Sequence, residues 1–355
     1  MTRRFHSFIL WFGLLAAGWP GLASAAPAVP PADLSFRFPT NNEALADRPE
    51  EFYMYTDRNF EGVKSKPWTG GCYGFSRTLV RTASGPVCVQ FHEGIDIRPL
   101  KRDASGEPLD EVRPMASGLV VHVSADPRKS NYGRYVVVEH SVPEGKIYSL
   151  YAHLASVVCR VGQRVGTGNK LGVLGHSGAG LNRERSHVHV ELCLLLNTRF
   201  QEHYDAMKLS TPNAHGIYNG MNLAGFDVSK VLLTCSSGGP LGLRQFFAGL
   251  EEQYRVRVPF KGIYPDWIVR YPFLWHNPKR LKKAASIDIS LTAEGVPFCA
   301  SPSTEAVEAP AVVFARPWPF NQKYRTVSRV SGSSRAPVLT PSGRRYIQLL
   351  MLGTQ

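Results

Sequence analysis

The chain has 355 residues, 43% of them hydrophobic, which is enough apolar material for a folded core and excludes a globally disordered polymer. Forty-one Lys and Arg against 28 Asp and Glu give a formal net charge of +13, a balance that favours polyanionic surroundings. The length suits two modest domains or one domain with a long appendage.

In chain order, Arg3 and Arg4 precede a short apolar run, Phe8 to Ala17, and a small-residue stretch, Ala23-Ser24-Ala25. This is the layout of a secretory signal peptide over 1–25, with cleavage after Ala25, and the apolar run is too short to span a bilayer as a mature helix. An exported chain, periplasmic or secreted, is therefore expected. Export changes the reading of the six cysteines, Cys72, Cys88, Cys159, Cys193, Cys235 and Cys299. In an oxidising compartment disulfides are the default, and proximity in sequence suggests Cys72–Cys88, leaving Cys159–Cys193 and Cys235–Cys299. None has the paired spacing of a zinc–thiolate site.

Residues 26–50, with five prolines and few large apolar groups, read as a linker or N-terminal arm able to lie across a groove. From Phe52 to Leu196 the pattern is one of short strands. Leu119–Val123, Tyr135–Glu139, Ile147–His153, Leu171–Leu174 and His187–Leu194 are rich in β-branched or large apolar residues. Turn signals such as Asn131-Tyr132-Gly133 and Pro143-Glu144-Gly145 fall between them, so an antiparallel β domain over 51–215 is expected. The C-terminal region, 216–355, reads as α+β: Leu243, Phe246, Phe247, Leu250 and Tyr254 follow helical spacing, and 300–320 read as a loop or linker. Lys279-Arg280 with Lys282-Lys283 forms a basic cluster whose simplest reading is a solvated face.

Three segments carry chemistry. In His92-Glu93-Gly94-Ile95-Asp96, positions four apart share one face of a strand, so an imidazole and a carboxylate, both ordinary zinc ligands, could meet at one ion. In His187-Val188-His189-Val190-Glu191, two histidines share one strand face while the valines face a core. Two adjacent imidazoles gain nothing from packing and repel once protonated, so a metal or catalytic task explains them better. The third segment is Tyr151-Ala152-His153-Leu154, whose histidine taken alone reads as structural. His140 and His122 also read as structural, and His203, His215 and His276 lack partner spacing.

Taken together and in order over 88–196, these segments resemble the M23 peptidases, the lysostaphin-like or LytM-type zinc endopeptidases of bacterial cell walls. His92 to Ile97 matches the first motif, Tyr151 to Leu154 the third, and His187 to Glu191 the terminal motif. Val161-Gly162-Gln163-Arg164-Val165 with Gly168, Leu171 and Gly172 resembles the glycine-punctuated turn. The resemblance implies a mostly β fold with an antiparallel sheet and His92, Asp96 and His189 as ligands of one Zn²⁺ with a fourth position left for water. It also implies His153 and His187 as catalytic histidines beside that water. The implied substrate is peptidoglycan, cut at a peptide bond by metal-activated water. The alternative is a non-catalytic wall-binding or amidase-activating regulator, the fate of members that have lost ligands. Anionic envelope polymers and a regulatory protein partner fit the same setting, whereas no nuclease constellation is visible and nucleic acid is not expected as a partner. Two stretches depart from the family pattern by being longer, Leu100–Pro114 and Gly178–Ser186. Arg183, Arg185 and His176 in or beside the second are candidates for substrate binding.

Overall fold

The computed structural model of the chain describes residues 35–239 and 242–353. The expected signal peptide lies outside the described residues, and among them no helix is long and apolar enough to cross a membrane. The chain is mostly β, built on antiparallel sheets.

The central sheet has seven strands: β1 Ile95–Ile97, β2 Gly118–Ser124, β3 Tyr135–Val142, β4 Gly145–Ala152, β5 Arg164–Val165, β6 Val188–Leu195 and β7 Leu223–Phe226. Their order is β5-β2-β3-β4-β6-β7, with β1 sharing the β7 edge of β6. Val188–Val190 pair with β1 and Leu192–Leu195 with β7, so β6 is hydrogen-bonded along both edges. Every residue of β6 is buried, which explains its near-continuous apolar run. The period-two alternation still sorts its side chains. Val188, Val190, Leu192 and Leu194 join the main core, while His189, Glu191, Cys193 and Leu195 face the other way. The strand β7 that completes this sheet comes from beyond residue 215.

Where β2 meets β3 a glycine is obligatory. A Cβ on Gly118 would lie 2.4 Å from Glu139 O and 2.9 Å from His140 Nδ1. His140 is fully buried, bonded to Ser117 O at 3.0 Å and to Ser149 Oγ at 2.7 Å, with Phe36 edge-on to its ring. Burial pushes its pKa down to about 4, whereas an unfolded histidine titrates near 6.5. As pH falls the unfolded chain takes this proton first, so stability is lost through the window from about 6.5 to about 4. The expected loss between pH 7 and pH 4.5 is about 2 kcal/mol from this residue alone. Urea unfolding at both pH values checks this. His140→Gln should remove that part of the pH dependence, and an unchanged difference between the two pH values would contradict the assignment.

The arm after residue 35 is not a free linker. Phe36, Leu45 and Phe52 are buried, and Asn42 donates to Glu51 O and Arg98 O. None of residues 35–50 lines the histidine cleft described below, so the expectation that this part of the arm crosses the groove is not met. Its prolines shape a path over the core, ending in a single helical turn, α1 Pro49–Phe52.

Residues beyond β7 form a second antiparallel sheet of four strands, β8 Tyr254–Pro259, β9 Ser286–Leu291, β10 Pro297–Ser303 and β11 Ala311–Ala315, in the order β10-β9-β8-β11. Two expectations are corrected here. The helix begins at Leu243 but ends at Ala248, and Tyr254 opens β8. Residues 300–320, expected to be a loop, contain the end of β10 and all of β11. Proline and alanine hid these strands because partners far away in the chain, not local propensity, hold them. Leu195 N–H donates to Tyr271 Oη, Thr198 donates to Asp266, and Asn197 Nδ2 donates to Leu349 O and Leu352 O at the end of the C-terminal helix Pro341–Met351. These bonds join the C-terminal region to the chain leaving β6.

The expected disulfides are not formed: all six cysteines are free. Cys193 is fully buried on β6, with its thiol turned to Glu191 at 3.2 Å, and Cys72, Cys88, Cys159, Cys235 and Cys299 carry free thiols as well.

Candidate metal centre

Sheet register brings the metal candidates together. His189 on β6 lies opposite Asp96 on β1 and opposite Ala152 on β4, whose next residue is His153. His92 does not share a continuous strand with Asp96, as the i, i+4 reading supposed. It ends a short strand, Phe91–His92, and a bend at Glu93-Gly94 turns the chain into β1. Gly94 is required at that bend, because a Cβ there would lie 2.3 Å from Val190 O.

Three atoms then converge. His92 Nε2 is 3.0 Å from His189 Nδ1 and 3.1 Å from Asp96 Oδ1, and His189 Nδ1 is 3.0 Å from the same oxygen. The other ring nitrogens are committed. His92 Nδ1 donates to Cys72 O at 2.9 Å, and His189 Nε2 donates to Glu191 Oε1 at 2.9 Å. With the protons placed there, the converging nitrogens present lone pairs to each other and to a carboxylate. Three such acceptors in contact call for a positive centre among them, either a proton on His189 or a metal cation in its place. A tetrahedral zinc site with bonds of about 2.0–2.1 Å has edges of about 3.3 Å, close to this triangle. The residues therefore fit a zinc ion, with outer hydrogen bonds of the kind that hold metal-bound histidines.

The electrostatics describe an exchange of proton for cation: without an ion a proton on His189 is favoured, and a metal would take its place. Burial works against charge on His189, yet its bonds to Asp96 and Glu191 push its pKa up to about 10. Burial likewise works against the Asp96 carboxylate, but the imidazoles of His187 and His92 hold it well below its ordinary range. The far oxygen of Asp96 accepts from Arg77 Nη2 at 2.6 Å, and Arg77 Nε donates to Gly70 O.

His153 and His187 stand beside this triangle with ring centroids 4.9 Å apart. His187 Nδ1 donates to Arg185 O at 2.7 Å, leaving Nε2, 3.4 Å from Asp96 Oδ1, as an acceptor. His153 follows β4 in a left-handed conformation, φ 62°, and its Nδ1 donates to Ser177 O at 2.9 Å. Burial first, then the neighbouring His187 and His189, hold its pKa well below the ordinary value. With Nδ1 of each ring bonded to a backbone carbonyl, Nε2 is the nitrogen left for chemistry. All five residues line one cleft of about 490 Å³.

Of the three expected substrate contacts, only Arg185 lines this cleft. Arg183 and His176 lie outside its lining. Both bind Glu107, at 2.9 Å and 3.1 Å, so the side chains expected to face substrate are engaged within the protein. They tie the two long stretches together. Arg102 donates to Arg183 O and Glu184 O, and Arg183 Nη1 donates to Ser105 O. Arg77 and Glu191 were not singled out by the sequence reading. Glu191 had a visible signal, since it shares a strand face with His189, whereas Arg77 lies 19 residues from Asp96 with no local pattern to mark it.

Residues 90–200 match the family described as Peptidase family M23. The match is confined to this segment, about a third of the chain. No curated protein matches the chain. Among solved structures, the chain is similar to a zinc-containing peptidase from Vibrio cholerae at 20% identity, over 46% of this chain and 35% of that one, with a TM-score of 0.24. It is also similar to the catalytic domain of the prophage-encoded M23 protein EnpA from Enterococcus faecalis, at 21% identity over 40% and 79%, with a TM-score of 0.23. The catalytic domain of the antimicrobial peptidase lysostaphin from Staphylococcus simulans matches at 20% identity over 35% and 82%, with a TM-score of 0.24. The chain spans about a third of the Vibrio protein's length.

Proposed function

We propose that this protein is an exported zinc-dependent endopeptidase that hydrolyses peptide bonds of bacterial peptidoglycan. The observation that carries the reading is the triangle of His92 Nε2, Asp96 Oδ1 and His189 Nδ1, with the imidazoles of His153 and His187 beside it in one cleft. The M23 match over residues 90–200 supports a peptidase, and peptidoglycan as its substrate is our reading.

In this reading His92, Asp96 and His189 hold the ion by two neutral imidazoles and one carboxylate, the ligand set of a zinc site that keeps a position for water. Zinc bound there supplies a Lewis acid and lowers the pKa of coordinated water to about 7. Arg77 fixes the orientation of Asp96 by holding its far oxygen, and Glu191 fixes the His189 tautomer. Nε2 of His187 or His153 would take the proton of the attacking water, and the N–H so formed would then donate to the oxyanion on the scissile carbonyl and pass its proton to the leaving amine. The Nδ1 bonds to Arg185 O and Ser177 O keep both rings aimed for these tasks. Arg185 is the substrate-facing arginine. Neither a covalent enzyme intermediate nor a serine or cysteine nucleophile is needed.

A purely binding role is the alternative, and retention of all five His and Asp side chains in one cleft weighs against it. The four exposed cations of the Pro278–Lys283 turn, Lys279, Arg280, Lys282 and Lys283, support contact with anionic envelope polymers. Incubating the mature protein with cross-linked peptidoglycan is expected to release new peptide amines. A chelator should stop the release and added zinc should restore it. Release that persists at full rate after the metal has been removed would exclude the reading.

A further inference from the structure

The two long stretches that meet beside the cleft differ in how they hold their shape. Residues 101–109 form a small hairpin: Arg102 bridges to Pro108, Leu109 N–H donates to Lys101 O, and Asp103 N–H donates to Glu107 O. Asp110 closes its base by accepting from the backbone N–H groups of Leu100 and Lys101. Residues 178–186 contain neither helix nor strand. Gly178 and Gly180 both have positive φ, 106° and 75°, and glycine is the residue that loses most conformational freedom when fixed.

The hairpin grips this loop at its final turn. Arg102 Nη1 donates to Arg183 O at 2.8 Å, and Nη2 donates to Glu184 O at 3.1 Å. The Arg183 side chain returns the grip, to Ser105 O at 2.6 Å and to Glu107 at 2.9 Å. The next carbonyl along the chain, Arg185 O, is the acceptor that holds His187 Nδ1 at 2.7 Å. On the other flank Tyr55 and Lys66 bind the Glu184 carboxylate, and Tyr55 O accepts from Arg185 Nε. Those ties run to side chains, whereas Arg102 holds the peptide carbonyls themselves. His153 is fixed differently. Its acceptor, Ser177 O, belongs to a residue whose Oγ donates to Leu154 O and accepts from Arg134 N–H. Glu107 touches His176 next to it, but these two bonds hold Ser177 without the turn at 183–186.

We propose that Arg102 and Glu107 are positioning residues for His187: the hairpin fixes the turn 183–186, and through Arg185 O that turn aims the His187 imidazole into the metal cleft. One planar guanidinium on two successive carbonyls sets the peptide planes that lead into Arg185 O, a task that a lysine, with charge but no fork, does not perform. A catalytic group misplaced by about 1 Å can lose about 10²-fold in rate, so an exposed brace far from the ion can matter. The inference rests on the peptidase reading for the role of His187, but the positioning is measurable without cleavage.

Nuclear magnetic resonance of the zinc-loaded full chain, with isotope-labelled histidine, tests it. His187→Ala and His153→Ala assign the two imidazole Nδ1–H signals, and in the wild type both protons are expected to exchange slowly because each is bonded to a carbonyl. Arg102→Ala should speed exchange of the His187 proton at least about ten-fold and leave that of His153 unchanged. Arg102→Lys should behave as Arg102→Ala does, and Glu107→Ala, which frees Arg183, should act in the same direction. On peptidoglycan, Arg102→Ala should lower kcat about ten-fold with KM within about two-fold, and it should cost nothing further in a His187→Ala background. Both histidine signals changing together would signify general loosening and overturn the proposal. An unchanged His187 signal, or an equal loss of kcat in the His187→Ala background, would overturn it as well. If the wild type hydrolyses no peptidoglycan, the peptidase reading fails, and the exchange rates still decide whether the hairpin positions His187.

Discussion

His189→Ala is expected to abolish both zinc binding and peptide release. His189 supplies Nδ1 to the metal triangle and, through Nε2, connects that triangle to Glu191. Without it only His92 and Asp96 remain, and two ligands do not hold zinc against water and buffer. Zinc content should fall from about one per chain to near zero, and release should drop by at least about 10⁴-fold, since the Lewis acid goes with the metal. Circular dichroism and a melting curve distinguish this from unfolding, and Arg77 still neutralises Asp96 in the variant. Full zinc occupancy and release in His189→Ala would dismantle the site assignment.

The second large effect separates chemistry from metal binding. His153→Ala and His187→Ala should each keep about one zinc per chain while kcat/KM falls about 10²–10⁴-fold, the range for losing a positioned acid or base. Neither ring is part of the triangle, and each is fixed by a backbone carbonyl, Ser177 O or Arg185 O, so removing one leaves the ligands in place. The double variant should be little worse than the poorer single one, because the two rings act on one transition state. Both variants retaining activity within about three-fold would assign the proton transfer elsewhere. If either lost its zinc, that ring would have to be counted among the ligands.

The sequence showed the site better than it showed the protein around it. The histidine and aspartate segments are short and local, and the strand alternation that aims His189 one way and Val190 the other can be read from five consecutive residues. What escaped depends on contacts between distant segments. Arg77 reaches Asp96 only because the chain folds back, and Arg183 and His176 seemed available to substrate because Glu107, which binds both, lies about 70 residues earlier in the chain. The proline- and alanine-rich 300–320 stretch hides β11, which is held by its pairing with β8. The cysteine expectation followed from compartment and number. The fold instead keeps six separate thiols, with Cys193 placed against Glu191, the carboxylate that accepts from His189.

The seam between β6 and the C-terminal region bears on how this chain can be divided. The edge of the strand that carries His189 is completed by β7 from beyond residue 215, and the loop that follows that strand is hydrogen-bonded to Asp266 and to the last turn of the final helix. A protein stitched this way does not behave as a catalytic cassette with a detachable tail. Cutting after residue 215 would bare a strand edge and strand the Asn197 and Thr198 donors, so the shortened piece should aggregate rather than act alone. The strand that carries His189 and the residues beyond 215 are therefore expected to be produced and engineered as one part.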